Sequence, residues 1–206
     1  MEVFLMYFFG DTYFQSFLLK NVFQIILILV IIAELAVLVI TTWNHHDGGE
    51  KKTIQDRGSM LFIILGFWLA IFMNPICINQ FSLILPEYFF WLGIVLTLVG
   101  IFTRLYSVWT LRKFFTLSVQ VSAKQKIVKE GPYKYVRHPA YTGSILTLFG
   151  IAIAFRSPFG IIATVIIIAV VYGYRIKIEE KALEKNFGLS YEDYEKQTWR
   201  LIPYIL

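Results

Sequence analysis

Apolar residues run almost without interruption over positions 22–40, 60–78, 88–111, 140–155 and 159–174, and polar residues collect between these runs. The pattern predicts an all-α fold with five membrane helices. The first three runs have the ~20 residues that cross a ~30 Å hydrocarbon layer as a helix. The last two have about 16, or roughly 24 Å of helix, so they thin the bilayer or extend beyond it. Arg156, Ser157 and Pro158 alone separate them, which predicts a tight antiparallel hairpin whose outer ends return to one side and bring His138 near Arg175. Asn74-Pro75 is expected to kink or end the second helix.

Beyond Tyr174 the helical pattern continues to Phe187, where Gly188 suits a helix stop. Ser190 is expected to cap a short further helix through about Thr198. Trp199, Arg200, Leu201, Ile202, Pro203 and Tyr204 then lie on the membrane surface. The chain reads as one membrane domain, 1–206, with three helices in 1–111 and the chemistry-bearing region in 112–206.

Of the 206 residues, 57% are hydrophobic and 16% charged, a balance that predicts an integral membrane protein. The segment 1–9 lacks a basic flank, and the first apolar run exceeds a signal h-region, so no cleaved leader is expected. The net charge of +5 sits in particular loops and reports topology, not nucleic-acid binding. Segment 43–59 carries Lys51, Lys52 and Arg57, segment 112–137 carries seven basic residues, and segment 79–87 carries none. With five spans, this places the N-terminus outside and the C-terminal helical segment in the cytoplasm. Trp43, Trp91 and Trp109 fall near helix ends as interfacial anchors. Glu34 and Arg104 lie inside spans, where pairing or a polar cavity is expected. The one cysteine, Cys77, excludes an intrachain disulfide and reads as a buried inert thiol.

Two polar segments meet at the predicted cytoplasmic end of the hairpin. The first reads Gly131-Pro132-Tyr133-Lys134-Tyr135-Val136-Arg137-His138-Pro139-Ala140-Tyr141-Thr142-Gly143, and the second Tyr174-Arg175-Ile176-Lys177-Ile178-Glu179-Glu180. Arg175 and Glu179 are four apart and share a helical face, which by itself gives a surface ion pair of about 0.2–0.5 kcal/mol. His138 suits a general base for an amine acceptor, but beside Pro139 it suits a cofactor or backbone contact better. His45-His46-Asp47 reads as a solvated loop, and no metal site is predicted.

In this order and spacing, these segments, with Lys181-Ala182-Leu183, Phe187-Gly188-Leu189-Ser190-Tyr191 and Leu201-Ile202-Pro203-Tyr204, resemble the isoprenylcysteine carboxyl methyltransferase family. That family lies within a wider group that includes membrane phospholipid methyltransferases, and the likeness runs from about Gln120 to the C-terminus. It implies S-adenosylmethionine as methyl donor, bound without a Rossmann domain; accordingly, no Gly-x-Gly-x-x-Gly follows any strand. The contacts it implies map to Gln120, Gln125, Lys126, Ile127, Val128, Tyr133, His138, Pro139, Ala140, Tyr141 and Glu179. Arg175 maps to the arginine that orients the acceptor carboxylate.

Elementary chemistry is consistent with these roles. Pro139 suits a first helical turn, whose N–H groups favour a carboxylate such as that of the cofactor. Tyr133 and Tyr141 offer faces to adenine or to the sulfonium, although interfacial anchoring is their plainer reading. Glu179 suits the cofactor's ammonium.

Four functions follow from the sequence. The first is methylation of the carboxylate of a lipophilic, isoprenylcysteine-like substrate entering from the bilayer, with membrane lipids as the other partners. The second keeps the cofactor and methylates a phospholipid or other amine. The third is an NADPH-dependent isoprenoid or sterol reductase, since those enzymes share a His-Pro-x-Tyr pattern, and the fourth is a membrane scaffold. The residues give no oligomeric state.

Overall fold

The computed structural model describes residues 13–14, 16–46, 53–54, 56, 58–81, 83–111, 115, 120–121 and 127–204, with the backbone alone for 43–46, 53–54 and 120–121. The predicted apolar runs appear as helices α1 (Phe17–His46), α2 (Ser59–Phe81), α3 (Tyr88–Leu111), α4 (Pro139–Ala154) and α5 (Pro158–Phe187). A short polar helix, α6 (Leu189–Gln197), follows. By length and composition α1, α2, α3 and α5 are able to cross a membrane, and α4, at 16 residues, is shorter. Beside the helices, β1 (Thr53–Ile54) and β2 (Gln120–Val121) form a two-residue antiparallel pair, and Gly131–Lys134 forms a 3-10 turn.

Helices α3 and α4 pack backbone to backbone along a seam of small residues. A side chain at Gly150 would strike Thr97 N at 2.5 Å, and one at Gly143 would strike Arg104 N at 2.5 Å. Gly93 and Gly100 close the seam from α3, against Ala154 and Thr147. Between membrane helices, where lipid is as apolar as leucine, such close approach supplies the packing that hydrophobicity does not.

Helix α5 lies on α2 through Gly66 against Val171 and through Asn74, whose Nδ2 donates to Thr164 Oγ1 at 3.2 Å. Pro75 does not end α2, which continues to Phe81. The Asn74 side chain also donates to the Ala70 carbonyl at 2.8 Å, which ties it to its own helix as well as to α5.

The hairpin between α4 and α5 turns on Arg156, which adopts φ 63°. Arg156 is tied to the loop before α3: Leu85 N donates to Arg156 O at 2.8 Å, and Arg156 Nε donates to Leu85 O at 2.7 Å. Phe14, Phe23, Phe90 and Phe155 pack their rings at the same end of the molecule. Cys77 is buried. Trp91 and Trp109 project from α3 and are exposed.

Helix α5 stops at Phe187 before Gly188, whose φ is 51°. The cap of α6 is Gly188 and not Ser190, which already lies inside that helix. A polar start without a side-chain cap is tolerated because Tyr191 and Glu192 N–H groups both donate to the Gly188 carbonyl.

Candidate active site

The polar ends of α4 and α5 come together opposite the Arg156 turn. Pro139 opens α4 at its first turn, and the His138 carbonyl takes the Tyr141 and Thr142 N–H groups at 3.0 Å each. One helical turn along, Tyr141 projects toward α5. Its hydroxyl donates to Glu179 Oε2 and accepts from Arg175 Nε at 2.9 Å. Arg175 and Glu179 also approach directly, at 3.9 Å. Arg175 is 2% exposed, whereas the Glu179 side chain is 29% exposed and lies at the opening of the cluster.

Tyr133 stands on the 3-10 turn. Gly131 there has φ 54° and lies against Tyr106 and Thr110 of α3, which leaves little room for a side chain. Tyr133 is buried, and burial together with the Glu179 carboxylate pushes its phenol well above the usual value. The turn is held from outside by α6, where Tyr194 donates to the Tyr133 carbonyl at 2.7 Å.

His138 faces Glu180. Its Nε2 lies 3.3 Å from Glu180 Oε1, and its ring stacks on Tyr141 with centroids 5.5 Å apart. The hairpin joins His138 to Arg175 through Tyr141, whose ring stacks on His138 and whose hydroxyl accepts from Arg175. Glu180 also receives Arg137 Nε at 3.3 Å and Arg200 Nε at 3.0 Å. Around this buried carboxylate the chain end is laced to the start of α4. Arg137 N donates to Trp199 O at 2.7 Å, His138 N to Arg200 O at 3.1 Å, and Thr142 Oγ1 to Leu201 O at 2.7 Å.

The predicted site residues therefore divide. Tyr141, Arg175 and Glu179 form one hydrogen-bonded cluster, with buried Tyr133 close enough to feel the Glu179 charge, and Pro139 and Ala140 are buried at the start of α4. His138 belongs to the neighbouring Glu180 cluster. The Gln120 backbone pairs with Ile54 in the β1–β2 ribbon, and β2 lies against α5. Ile127 and Val128 are half-buried before the 3-10 turn. Gln125 and Lys126 lie outside the described residues, as do Asp47 and the side chains of Trp43, His45 and His46.

Two sets of partners were missed by sequence reasoning. Arg175 Nη1 donates to Asp56 Oδ1 and to Ser59 Oγ, both at 2.5 Å, from the start of α2. Glu34 and Arg104, expected to need partners, pair with each other at 2.7 Å, and Arg104 also reaches Ser144. This pair and Tyr172 form the floor of a cavity of about 250 Å³ between α1 and α2, walled by Leu27, Val30, Ile63 and Phe67. A carboxylate at the opening, tyrosine faces and a fixed guanidinium are the donor set that a zwitterionic, cationic cofactor and an anionic acceptor require.

The family description "Phospholipid methyltransferase" matches residues 88–190, half of the chain. The protein-S-isoprenylcysteine O-methyltransferase of Dictyostelium discoideum is 30% identical over 170 residues, covering 79% of this chain and 69% of that one. A probable protein-S-isoprenylcysteine O-methyltransferase of Oryza sativa subsp. indica is 28% identical over 125 residues, 59% of this chain and 65% of that one. A solved eukaryotic intramembrane Ras methyltransferase, an isoprenylcysteine carboxyl methyltransferase, superimposes with a TM-score of 0.55 at 25% identity, covering 70% of this chain and 52% of that one. The matched stretch thus spans just under two thirds of the rice relative and about half of the solved chain. On the family match and the Dictyostelium relative together, this chain belongs to the isoprenylcysteine carboxyl methyltransferase family, within the wider phospholipid methyltransferase group of membrane proteins.

Proposed function

We propose that the protein transfers a methyl group from S-adenosylmethionine to the carboxylate of a lipophilic, isoprenylcysteine-like acceptor. The observation that carries this reading is the unbroken hydrogen-bond chain from Arg175 through Tyr141 to Glu179. It joins the residue suited to an acceptor carboxylate to the residue suited to a donor's ammonium.

In this reading Glu179 would hold the ammonium of a bound donor, and Tyr133 and Tyr141 would offer their faces to its sulfonium, a contact worth about 2 kcal/mol when desolvated. Gln120, Gln125, Lys126, Ile127, Val128, His138, Pro139 and Ala140 complete the family's cofactor positions. Arg175 turns the acceptor carboxylate toward the donor. When bound, S-adenosylmethionine would supply an electrophilic methyl to the acceptor carboxylate oxygen, its sulfur keeping the electron pair of the C–S bond and leaving as S-adenosylhomocysteine. No general base is needed, because the carboxylate is ionised at neutral pH. Orientation and exclusion of water are what the chain contributes.

The cavity between α1 and α2 gives an apolar tail a route to this centre, since Met60 on its wall is next to Ser59, and Tyr172 on its floor packs edge-on against Tyr141 at 5.8 Å. With α4 counted as a short span, the chain crosses the bilayer five times. The basic loops then set the site on the cytoplasmic side.

A second groove, of about 880 Å³ between α4 and α5, has Ile145, Val165 and Ile168 on its walls and Lys177 and Arg200 at its polar end. Its apolar walls suit an acyl chain and its cationic end a phosphate, and this is the observation behind the second reading, methylation of an amine headgroup. Purified protein given methyl-labelled S-adenosylmethionine with an S-prenylated cysteine is expected to form a base-labile ester. A stable N-methyl product on phosphatidylethanolamine, with no ester, would select the second reading, and neither product would reject both.

A further inference from the structure

Asp56 belongs to no motif, yet its carboxylate is built into the Arg175 cluster from two sides. Oδ1 accepts from Arg175 Nη1 at 2.5 Å and from Ser59 Oγ at 2.9 Å, and Ser59 Oγ itself accepts from Arg175 Nη1 at 2.5 Å. The other oxygen, Oδ2, accepts the Met60 N–H in the first turn of α2 at 3.0 Å, and the Asp56 carbonyl accepts the Ser59 N–H at 2.8 Å. The carboxylate is therefore fixed to the start of a membrane helix before it reaches the guanidinium. Both partners are buried, Asp56 being 8% exposed, and a charged hydrogen bond shielded from water holds its geometry better than one on the surface.

A guanidinium is planar, so contacts on two of its nitrogens fix its plane. Asp56 and Ser59 take Nη1, and Tyr141 takes Nε from the opposite edge. These anchors come from the loop entering α2, from the first residue of α2 and from α4, whereas Arg175 itself rises from α5. The long arginine side chain is thus set relative to all three helices. Asp56 also offsets the arginine's charge, so Arg175 aligns an acceptor carboxylate through directed hydrogen bonds more than through net attraction.

We propose that Asp56, assisted by Ser59, is a positioning residue for methyl transfer: it fixes the plane in which Arg175 presents the acceptor carboxylate to the methyl group. This rests on the reading of Arg175 given above. In-line transfer is sensitive to such alignment, a misplacement of about 1 Å costing on the order of 10²-fold in rate. Because Asp56 sets orientation, its loss lowers kcat, while the arginine charge it no longer offsets holds the acceptor carboxylate at least as well, so KM for the acceptor does not rise.

The test uses the full-length, detergent-solubilised protein with an S-prenylated cysteine as acceptor and S-adenosylhomocysteine as cofactor probe. Asp56→Asn keeps the shape and an oxygen for the Met60 N–H while removing the charge that faces Arg175. Its kcat is expected to fall about 10- to 100-fold, with KM for the acceptor not raised and S-adenosylhomocysteine affinity within about threefold of wild type. Asp56→Glu, which restores the charge, is expected to recover part of the loss. In an Arg175→Lys background, Asp56→Asn is expected to cost nothing further, because the two act as one unit.

A wild-type kcat in Asp56→Asn overturns the proposal, as does full additivity with Arg175→Lys. A parallel fall of kcat, cofactor affinity and thermal midpoint overturns it too, since that is general loosening. If the wild-type protein forms no ester at all, the reading of Arg175 fails and Asp56 loses its role with it. That result is distinct from ester formation at equal rates in wild type and Asp56→Asn, which removes the role of Asp56 alone.

Discussion

Glu180 Oε1 lies 3.3 Å from His138 Nε2, while Glu179, the residue before it, receives the hydroxyl of Tyr141. Consecutive residues on a helix point about 100° apart, and here that angle separates two tasks. Glu180 ties the chain end to α4, and Glu179 faces the opening of the proposed cofactor site. Glu180→Ala would leave Arg137 and His138 without their shared buried carboxylate, and a broken buried pair costs about 3–5 kcal/mol. Thermal unfolding in detergent is expected to show a large fall for Glu180→Ala and little change for Glu179→Ala. The reverse order would contradict the division.

Tyr141→Phe keeps the ring and removes the hydroxyl between Arg175 and Glu179. Taking one partner from a buried hydrogen bond costs about 1–3 kcal/mol, and here that cost falls on the alignment of Arg175. Steady-state kinetics are expected to show kcat/KM lowered by about 10- to 100-fold, with a smaller change in S-adenosylhomocysteine affinity. A variant with wild-type turnover would remove the hydroxyl from the mechanism.

Tyr194, on α6, donates to the Tyr133 carbonyl, and burial pushes its phenol up to about 12, against the lowering pull of Arg137. An unfolded tyrosine titrates near ~10. The folded form holds its proton more tightly, so this contribution to stability is whole below pH ~10 and is lost as the pH climbs from there through about 12. Tyr194→Phe is expected to lower the midpoint at neutral pH and to make the alkaline decline shallower. An unchanged alkaline limb would show that Tyr194 does not contribute to it.

The α3–α4 seam has no room for side chains, whereas a Cβ at Gly173 on α5 meets nothing within 4 Å. Gly150→Leu is expected to destabilise by about 1–3 kcal/mol or more through overpacking. Gly173→Ala is expected to gain about 0.5–1 kcal/mol from helix propensity. Paired thermal midpoints check both, and equal effects would contradict the seam.

The helices were legible because each apolar run is long and bounded by polar loops, and α3 matches its run residue for residue. The start of α6 was misread because Ser190 resembles a cap, while Gly188 alone adopts the turn that ends α5 and starts the next helix. Tyr133, Tyr141, Arg175 and Glu179 could be named together because two short motifs carry them to the ends of one hairpin. Asp56 could not. It is 119 positions from Arg175 and sits in a polar loop where an aspartate is unremarkable, so only the packing of α2 on α5 reveals the contact. The same holds for Glu34 and Arg104, whose need for partners was visible but whose pairing was not. The seam was readable in principle, as small residues spaced three or four apart on both α3 and α4.

The central claim is that Glu179 holds the methyl donor while Arg175 serves the acceptor. Calorimetric titration of the solubilised protein with S-adenosylhomocysteine tests it most directly, run on wild type, Glu179→Ala and Arg175→Ala, with turnover measured on the same samples. The account predicts weakened binding in Glu179→Ala, and near wild-type binding without turnover in Arg175→Ala. Undiminished binding by Glu179→Ala would contradict it.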